Sequence, residues 1–375
     1  MTLLRKGYCE RNHFLDGPTW QGGFRMRILF LPNFVVLPPS EGEYKEGYSK
    51  RPGSGEIGYW FFKYFPDADV EILQKTSPFP FNKLSDLLGF EVYQGFRAFM
   101  KQSDYDLVVS HSYNSGFVFS LLRSLICRRD PPHIVIDVGS LNGGSEQRWQ
   151  IALIRFALRS VSGLVYHSRV NEGFYSKHFP EVKRGFVFFG TETDYFSPLP
   201  EEPTNAYALS MGVSHRDYET LIRAWAGIEF PLKIVGHTQI DTAGLENVEL
   251  VPKVSIPEFK RYIHNARIVI LPFKNVRYSI GQMTLTECMS MGKPIVVSRS
   301  FGVLDYVEDG VDCLTYACGD PKDLSDKVST LLRDPALASR LGAAARAEAL
   351  LKFNEEAMGL GISEFVRSAT SGKDS

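Results

Sequence analysis

Residues 267–299 read RIVILPFKNVRYSIGQMTLTECMSMGKPIVVSR, and the fold turns on how this stretch divides. A short apolar run, 267–273, has strand length. A polar loop, 275–282, follows and carries Gly281. Residues 283–291 predict a helix closed by Gly292, and Pro294 forbids its continuation before a second strand at 295–297. The order strand, loop, helix, strand is one βαβ unit. A glycine just ahead of a helix lets backbone N–H groups converge on an anion, which the helix dipole favours. The candidates for that cradle are Gly281, Gln282, Met283 and Thr284. One turn into the helix stands Glu287, an acid unsuited to phosphate but able to accept hydrogen bonds from a ribose diol. Together they describe a nucleotide diphosphate site. The plainer alternatives are a helix-entry turn and a surface acid stabilised by the dipole alone.

Outward from this unit the same alternation recurs. In the first half, strands are expected at 27–31, 70–73, 107–110, 134–137, 164–167 and 186–189, with helices at 84–101, 117–127 and 145–161. Strands separated by helices of this length predict a parallel sheet. Residues 195–205 (YFSPLPEEPTN) are rich in proline and acid and suit a linker. The pattern then restarts, with strands at 206–211, 232–235 and 248–250 and helices at 218–226 and 257–265. An alanine-rich helix at 334–353 is expected to pack with one face in solvent. The fold class is therefore α/β, two Rossmann-like domains with an interdomain cleft at the strand C-termini. The expected boundaries are an extension at 1–25, an N-terminal acceptor-binding domain at 26–195, a linker at 196–205 and a nucleotide-sugar-binding domain at 206–355. A C-terminal helix and tail at 356–375 would pack back on the first domain.

Composition narrows the functions. A chain of 375 residues is long for one domain and sufficient for two cores. Lys+Arg 42 against Asp+Glu 43 leaves a net charge of −1, so no global field draws it to nucleic acid. Five cysteines without CxxC spacing fit neither a disulfide framework nor a zinc site and suit a reducing cytoplasm. No apolar run approaches the roughly 20 residues that span a bilayer, and residues 1–25 lack a signal-peptide core. A cytoplasmic protein is expected, with peripheral contact at the inner face of a membrane as an option for its N-terminal domain.

The stretch from Gly281 to Pro294 resembles the donor-binding signature of family 4 glycosyltransferases, which ends in Glu-Ala-Met-Ala-x-Gly-x-Pro. That family sets two glutamates seven residues apart against the donor. Glu287 matches the second, while Ser279 stands where the first should fall. Other segments are similar in turn: Gly53-Ser54-Gly55-Glu56 to the family's first glycine loop, Gly190 to Pro198 to the motif closing its N-terminal domain, and Gly236-His237 to its Val-Gly-x-Gly strand end. Arg216, before a helix carrying Leu221 and Ala224, matches the place of a lysine that neutralises the diphosphate; arginine could do so bidentately. The resemblance implies a retaining glycosyltransferase of the B-type fold. Its donor would be a nucleotide sugar, UDP-linked by expectation, held by Gly55, Arg216, Gly236, His237, Val254, Gly281, Gln282, Met283, Thr284 and Glu287. No cofactor or metal is implied.

Chemistry at the first domain's strand ends is less determined. Asp137 ends 134–137 where the family often has a histidine near the sugar, and His111 follows 107–110. With Ser279 these are the catalytic candidates, against the plainer reading of satisfied rim groups. Asp67-Ala68-Asp69 and Asp104-Tyr105-Asp106 match a metal-binding Asp-x-Asp, but both precede strands, where aspartate commonly marks a turn. The aromatic run Tyr59 to Phe65 reads as a buried helix, with an apolar acceptor or membrane face as the alternative. The expected reaction moves a hexose to a hydroxyl of a glycan or lipid-linked acceptor. An epimerase or hydrolase on the same scaffold, or a non-catalytic nucleotide-sugar binder, remains open.

Overall fold

The computed structural model describes residues 26–34, 65, 68–75, 77–142, 147–236 and 239–370. The first sheet is built from β1 (Arg27–Leu31), β2 (Asp69–Ile72), β3 (Leu107–His111), β4 (His133–Asp137), β5 (Gly163–Tyr166) and β6 (Arg184–Phe186), all parallel, in the order β2-β1-β3-β4-β5-β6. Its central strands are covered on both faces, which is why they read as nearly unbroken apolar runs such as Ile134-Val135-Ile136. The helices are α1 (Phe81–Leu88), α2 (Val92–Lys101), α3 (Tyr113–Leu125), α4 (Arg148–Leu158) and α5 (Val170–His178).

The second sheet contains β7 (Tyr207–Met211), β8 (Leu232–Val235), β9 (Val248–Val251), β10 (Ala266–Leu271), β11 (Ile295–Ser298) and β12 (Leu314–Tyr316). These are parallel in the order β12-β11-β10-β7-β8-β9. Around it lie α6 (Tyr218–Trp225), α7 (Ile256–Asn265), α8 (Gln282–Ser290), α9 (Pro321–Arg333) and α10 (Pro335–Leu351). The last helix, α11 (Glu355–Thr370), returns to the first domain. Its Met358, Ile362 and Val366 are buried with Ile28, Phe30 and Val109 beneath the N-terminal sheet.

Three differences from the sequence reading have local causes. The helix expected over 84–101 is two helices, because Gly89 takes a left-handed conformation (φ 71°) and accepts the role of C-terminal cap for α1. The helix expected at 117 starts four residues earlier, at Tyr113, where the Ser112 hydroxyl caps it by accepting from the Asn114 N–H. The strand expected at 186–189 ends at Phe186. Phe188 and Phe189 leave the sheet to pack against the second domain's core. The alanine-rich α10 buries Leu341, Ala345 and Ala349, as a packing helix with one wet face.

The domains touch at several points. Asn142 donates to the Arg277 carbonyl (2.6 Å), and the Arg169 N–H donates to Asp305 (2.7 Å). The Tyr306 hydroxyl donates to the His167 carbonyl (2.6 Å) and accepts from the Phe189 N–H (2.8 Å). These contacts close one end of a cleft of about 1290 Å³ whose walls come from both sheets' C-terminal edges.

Candidate active site

The cleft's C-terminal wall is made by the loop after β7 and by the entry to α8. Gly281 is the N-cap of α8 with φ 70°. A Cβ at this position would run into the Phe273 ring, so glycine is required twice over, for the left-handed turn and for the close approach. No side chain caps the amides that open α8. The helix is buried from Thr284 to Ser290, with only Met283 exposed, because α10 covers its far side.

Arg216 lies beside this helix entry with 9% of its surface exposed. Nε donates to the Met211 carbonyl (2.9 Å), Nη1 to the Ser214 carbonyl (2.9 Å) and Nη2 to the Thr284 hydroxyl (3.3 Å). Its guanidinium carbon sits 4.4 Å from the centre of the Phe273 ring. Burial pushes its pKa down, and among the described residues no carboxylate pairs with it. A buried cation with no counter-ion is costly unless a ligand supplies the anion. Thr284 ties that cation to the first turn of α8, so guanidinium and open amides address the same part of the cleft.

Glu287 follows one turn deeper, 8% exposed. Burial raises its pKa to about 8, with no hydrogen bond or ion pair to offset it. It does not line the cleft wall itself, which ends at Thr284. A carboxyl of this kind, buried without a protein partner, is a group waiting for a hydroxyl donor.

Other expected donor contacts are differently placed. Gln282 is part of the wall, but its side-chain amide is engaged, donating to the Gly302 carbonyl (2.7 Å). Gly236 ends β8 at φ 101° near Gly212 and Val213, the latter a wall residue. Val254 packs, partly buried, against the second domain's core and is not part of the wall, so its expected donor contact is not seen. Gly55 and His237 lie outside the described residues, as do Asp67 and most of the 59–65 aromatic run.

On the N-terminal wall, His111 lines the cleft with Nδ1 2.7 Å from the Asn33 side-chain oxygen, and burial pulls its pKa down to about 3. Ser279 also lines the cleft, 7% exposed. Its carbonyl oxygen lies 2.8 Å from where a Cβ on Gly139 would fall, so glycine at 139 lets the two domains meet there. The expectation for Asp137 needs correction. Its Oδ1 accepts from the Ser140 N–H (2.9 Å), the Ser140 hydroxyl (2.6 Å) and the Leu141 N–H (3.3 Å), and Oδ2 from the Tyr175 hydroxyl (2.5 Å). Fully buried and so occupied, it shapes the loop that carries Gly139 and Ser140 and does not face the cleft.

His167 was missed from the sequence, although it follows β5 as His111 ends β3. Its Nδ1–H donates to the Val187 carbonyl (2.8 Å), leaving Nε2 as an acceptor, and burial holds its pKa near 4. His111 and His167 are therefore neutral at physiological pH. Among the described residues no group of three or more acidic, histidine or cysteine side chains is arranged to hold a metal ion.

The two facing parallel sheets, the cleft between them and the helix-entry cradle define the glycosyltransferase B-type fold. Residues 206–334, within the second domain, match the family described as glycosyl transferases group 1. An uncharacterized glycosyltransferase of Methanocaldococcus jannaschii is 25% identical over 138 residues, 35% of this chain and 38% of that protein. The alignment thus spans well under half of the relative. Solved structures resemble nearly the whole chain. A sucrose-phosphate synthase of Thermosynechococcus elongatus superposes with a TM-score of 0.69 at 18% identity, over 93% of this chain and all of the other. HepE of Anabaena in complex with UDP gives 0.66 at 16% identity, over 92% of this chain and all of the other. A glycosyltransferase of Rickettsia africae gives 0.67 at 13% identity, over 94% of this chain and all of the other. At such identities these structures establish the fold.

Proposed function

We propose that the protein is a glycosyltransferase that moves a hexose from a nucleotide sugar, UDP-linked, to an acceptor hydroxyl, with retention at the anomeric centre and without a metal. The observation that carries this reading is Arg216, a buried guanidinium without a counter-ion, joined through Thr284 to the uncapped start of α8. The diphosphate supplies the missing anion, held by the amides that follow Gly281. As the bond to the sugar breaks, negative charge grows on the leaving phosphate, where these fixed dipoles and the guanidinium stabilise it without reorganising. Glu287 takes the ribose diol. The group 1 match over 206–334 and the UDP complex of the similar HepE structure support the donor class.

On the other wall, the neutral His111 and His167 offer hydrogen-bonding nitrogens to the sugar or to the incoming hydroxyl, while Ser279, ahead of α8 on the donor wall, contributes a hydroxyl without charge. The acceptor is the hydroxyl of a glycan or a lipid-linked carrier bound by the first domain. Titration calorimetry with UDP, followed by mass spectrometry of products from UDP-hexoses and candidate acceptors, tests the reading. Glu287→Ala is expected to weaken UDP binding by about 1.5–3 kcal/mol. Turnover is expected to continue in EDTA. Absence of saturable UDP binding, or turnover that EDTA abolishes and Mn²⁺ restores, would refute the site as assigned.

A further inference from the structure

The donor machinery occupies one wall of the cleft, and the opposite wall has a different character. The end of α1 and the first turns of α4 present Leu88, Phe90, Trp149, Ile151, Leu153 and Ile154 to it. Trp149 and Leu153 are one helical turn apart on α4 and keep 62% and 37% of their surfaces in water, and Leu88 keeps 50%. Among the described residues lining the whole cleft, Arg216 is the single charged side chain, and it belongs to the donor side. Two of the cleft's polar groups, His111 and His167, are held neutral by burial.

Two kinds of acceptor make opposite demands on such a surface. A glycan presents hydroxyls along its length and needs carboxylates or amides to receive them. Gln150 beside Trp149, and Asn33 and Asn114, are the amides this side of the cleft offers, but Trp149, Leu153 and Leu88 leave large apolar surface in water that a glycan would not cover. An alkyl or isoprenoid chain asks only for apolar contact, which Leu88, Phe90, Trp149, Leu153 and Ile154 provide in the same cleft as the donor site. Large apolar side chains left in water beside a cleft mark a binding surface.

We infer that the acceptor is an amphiphile whose hydroxyl head sits between His111, His167 and the donor, and whose alkyl or isoprenoid tail lies along the α1–α4 wall. This rests on the reading of the second domain as the nucleotide-sugar site. The head is fixed by hydrogen bonds to neutral groups, so the surface selects for an uncharged hydroxyl end and a long apolar end.

The experiment compares octyl β-glucoside below its micelle concentration, methyl β-glucoside and maltotriose as ligands of the full chain, by calorimetry, with UDP as a separate titrant. The octyl compound is expected to bind at least about tenfold more tightly than the other two. Leu153→Asp is expected to lose most of that advantage while binding UDP as the wild type does, which also reports that it is folded. Equal affinity for octyl and methyl compounds overturns the inference, as does tighter binding of maltotriose or a tail preference that survives Leu153→Asp. A wild-type dimer that Leu153→Asp dissociates, with no tail preference in either protein, would assign the strip to a second copy of the chain and overturn it too. Loss of the UDP isotherm alone would sink the donor reading while a surviving tail preference still supports the apolar subsite.

Discussion

Glu287 and Arg216 show how single residues here are left incomplete by the fold. Burial raises the Glu287 pKa to about 8, so the neutral carboxyl is the favoured form in the free protein at pH 7. Because the folded value lies above the ordinary carboxylate value, its contribution to stability is complete in acid and is lost as pH rises through about 8. Glu287→Gln should therefore flatten the stability profile between roughly pH 5 and 8, a difference readable in urea melts across that window. Binding a ribose diol favours the ionised form, so UDP should bind with release of a proton near pH 7. Calorimetry in buffers of different ionisation enthalpy should show that proton for the wild type and none for Glu287→Gln. Ser279 makes a milder case. Its hydroxyl can bond a sugar oxygen but adds no charge, so Ser279→Ala should slow turnover by less than about tenfold, under roughly 1.4 kcal/mol in the barrier. A dead Ser279→Ala enzyme that still binds UDP would make this position catalytic.

At the scale of elements, the decisive unit is the turn from β10 through Phe273 to the start of α8. Gly281 holds φ 70° against the edge of the Phe273 ring, and Arg216 sits over that same ring. A side chain at 281 would strain the backbone and displace the ring on which the guanidinium rests. Gly281→Ala should cost about 1–3 kcal/mol of stability in denaturant melts and weaken UDP binding more than Glu287→Ala does. A melt and a UDP isotherm both like the wild type would show that neither the turn nor the ring positions the anion site. The elements themselves were largely legible. The glycine, the helix after it and the Gly292–Pro294 stop were read from local chemistry that the structure keeps. The break at Gly89 was not, because a glycine inside a helical pattern signals either tolerance or a cap, and only packing decides which.

Across the whole molecule, the two domains are coupled by α11 and by Tyr306. Helix α11 starts beside the second domain and buries Met358, Ile362 and Val366 in the first. Each such side chain contributes about 1.5–3 kcal/mol of burial, a large share of a typical domain's net stability. Ending the chain at Asn354 should leave the N-terminal sheet uncovered, with a melting temperature lower by more than about 10 °C or an insoluble product. Tyr306→Phe is subtler. It leaves the Phe189 N–H and the His167 carbonyl without a partner, at about 1–3 kcal/mol, and frees the segment that positions the His167 ring. Denaturation would report the first effect, and a fall in turnover with UDP affinity preserved would report the second.

The sequence by itself determined the parts governed by neighbours along the chain: parallel sheets from alternating apolar strands and helices, the glycine-led entry to α8, and Arg216 and Glu287 as candidates for an anion and a ribose. The tertiary structure decided what depends on distant partners. Asp137 looked like a catalytic strand end until Ser140, Leu141 and Tyr175 filled its oxygens, and His167 became a site residue only when Val187 fixed its tautomer and the cleft formed around it. The apolar wall likewise exists because α1 and α4, about sixty residues apart in the chain, line the same cleft. Local periodicity sets which side chains share a face of a helix, but whether that face meets solvent, core or ligand is fixed by contacts between segments remote in sequence.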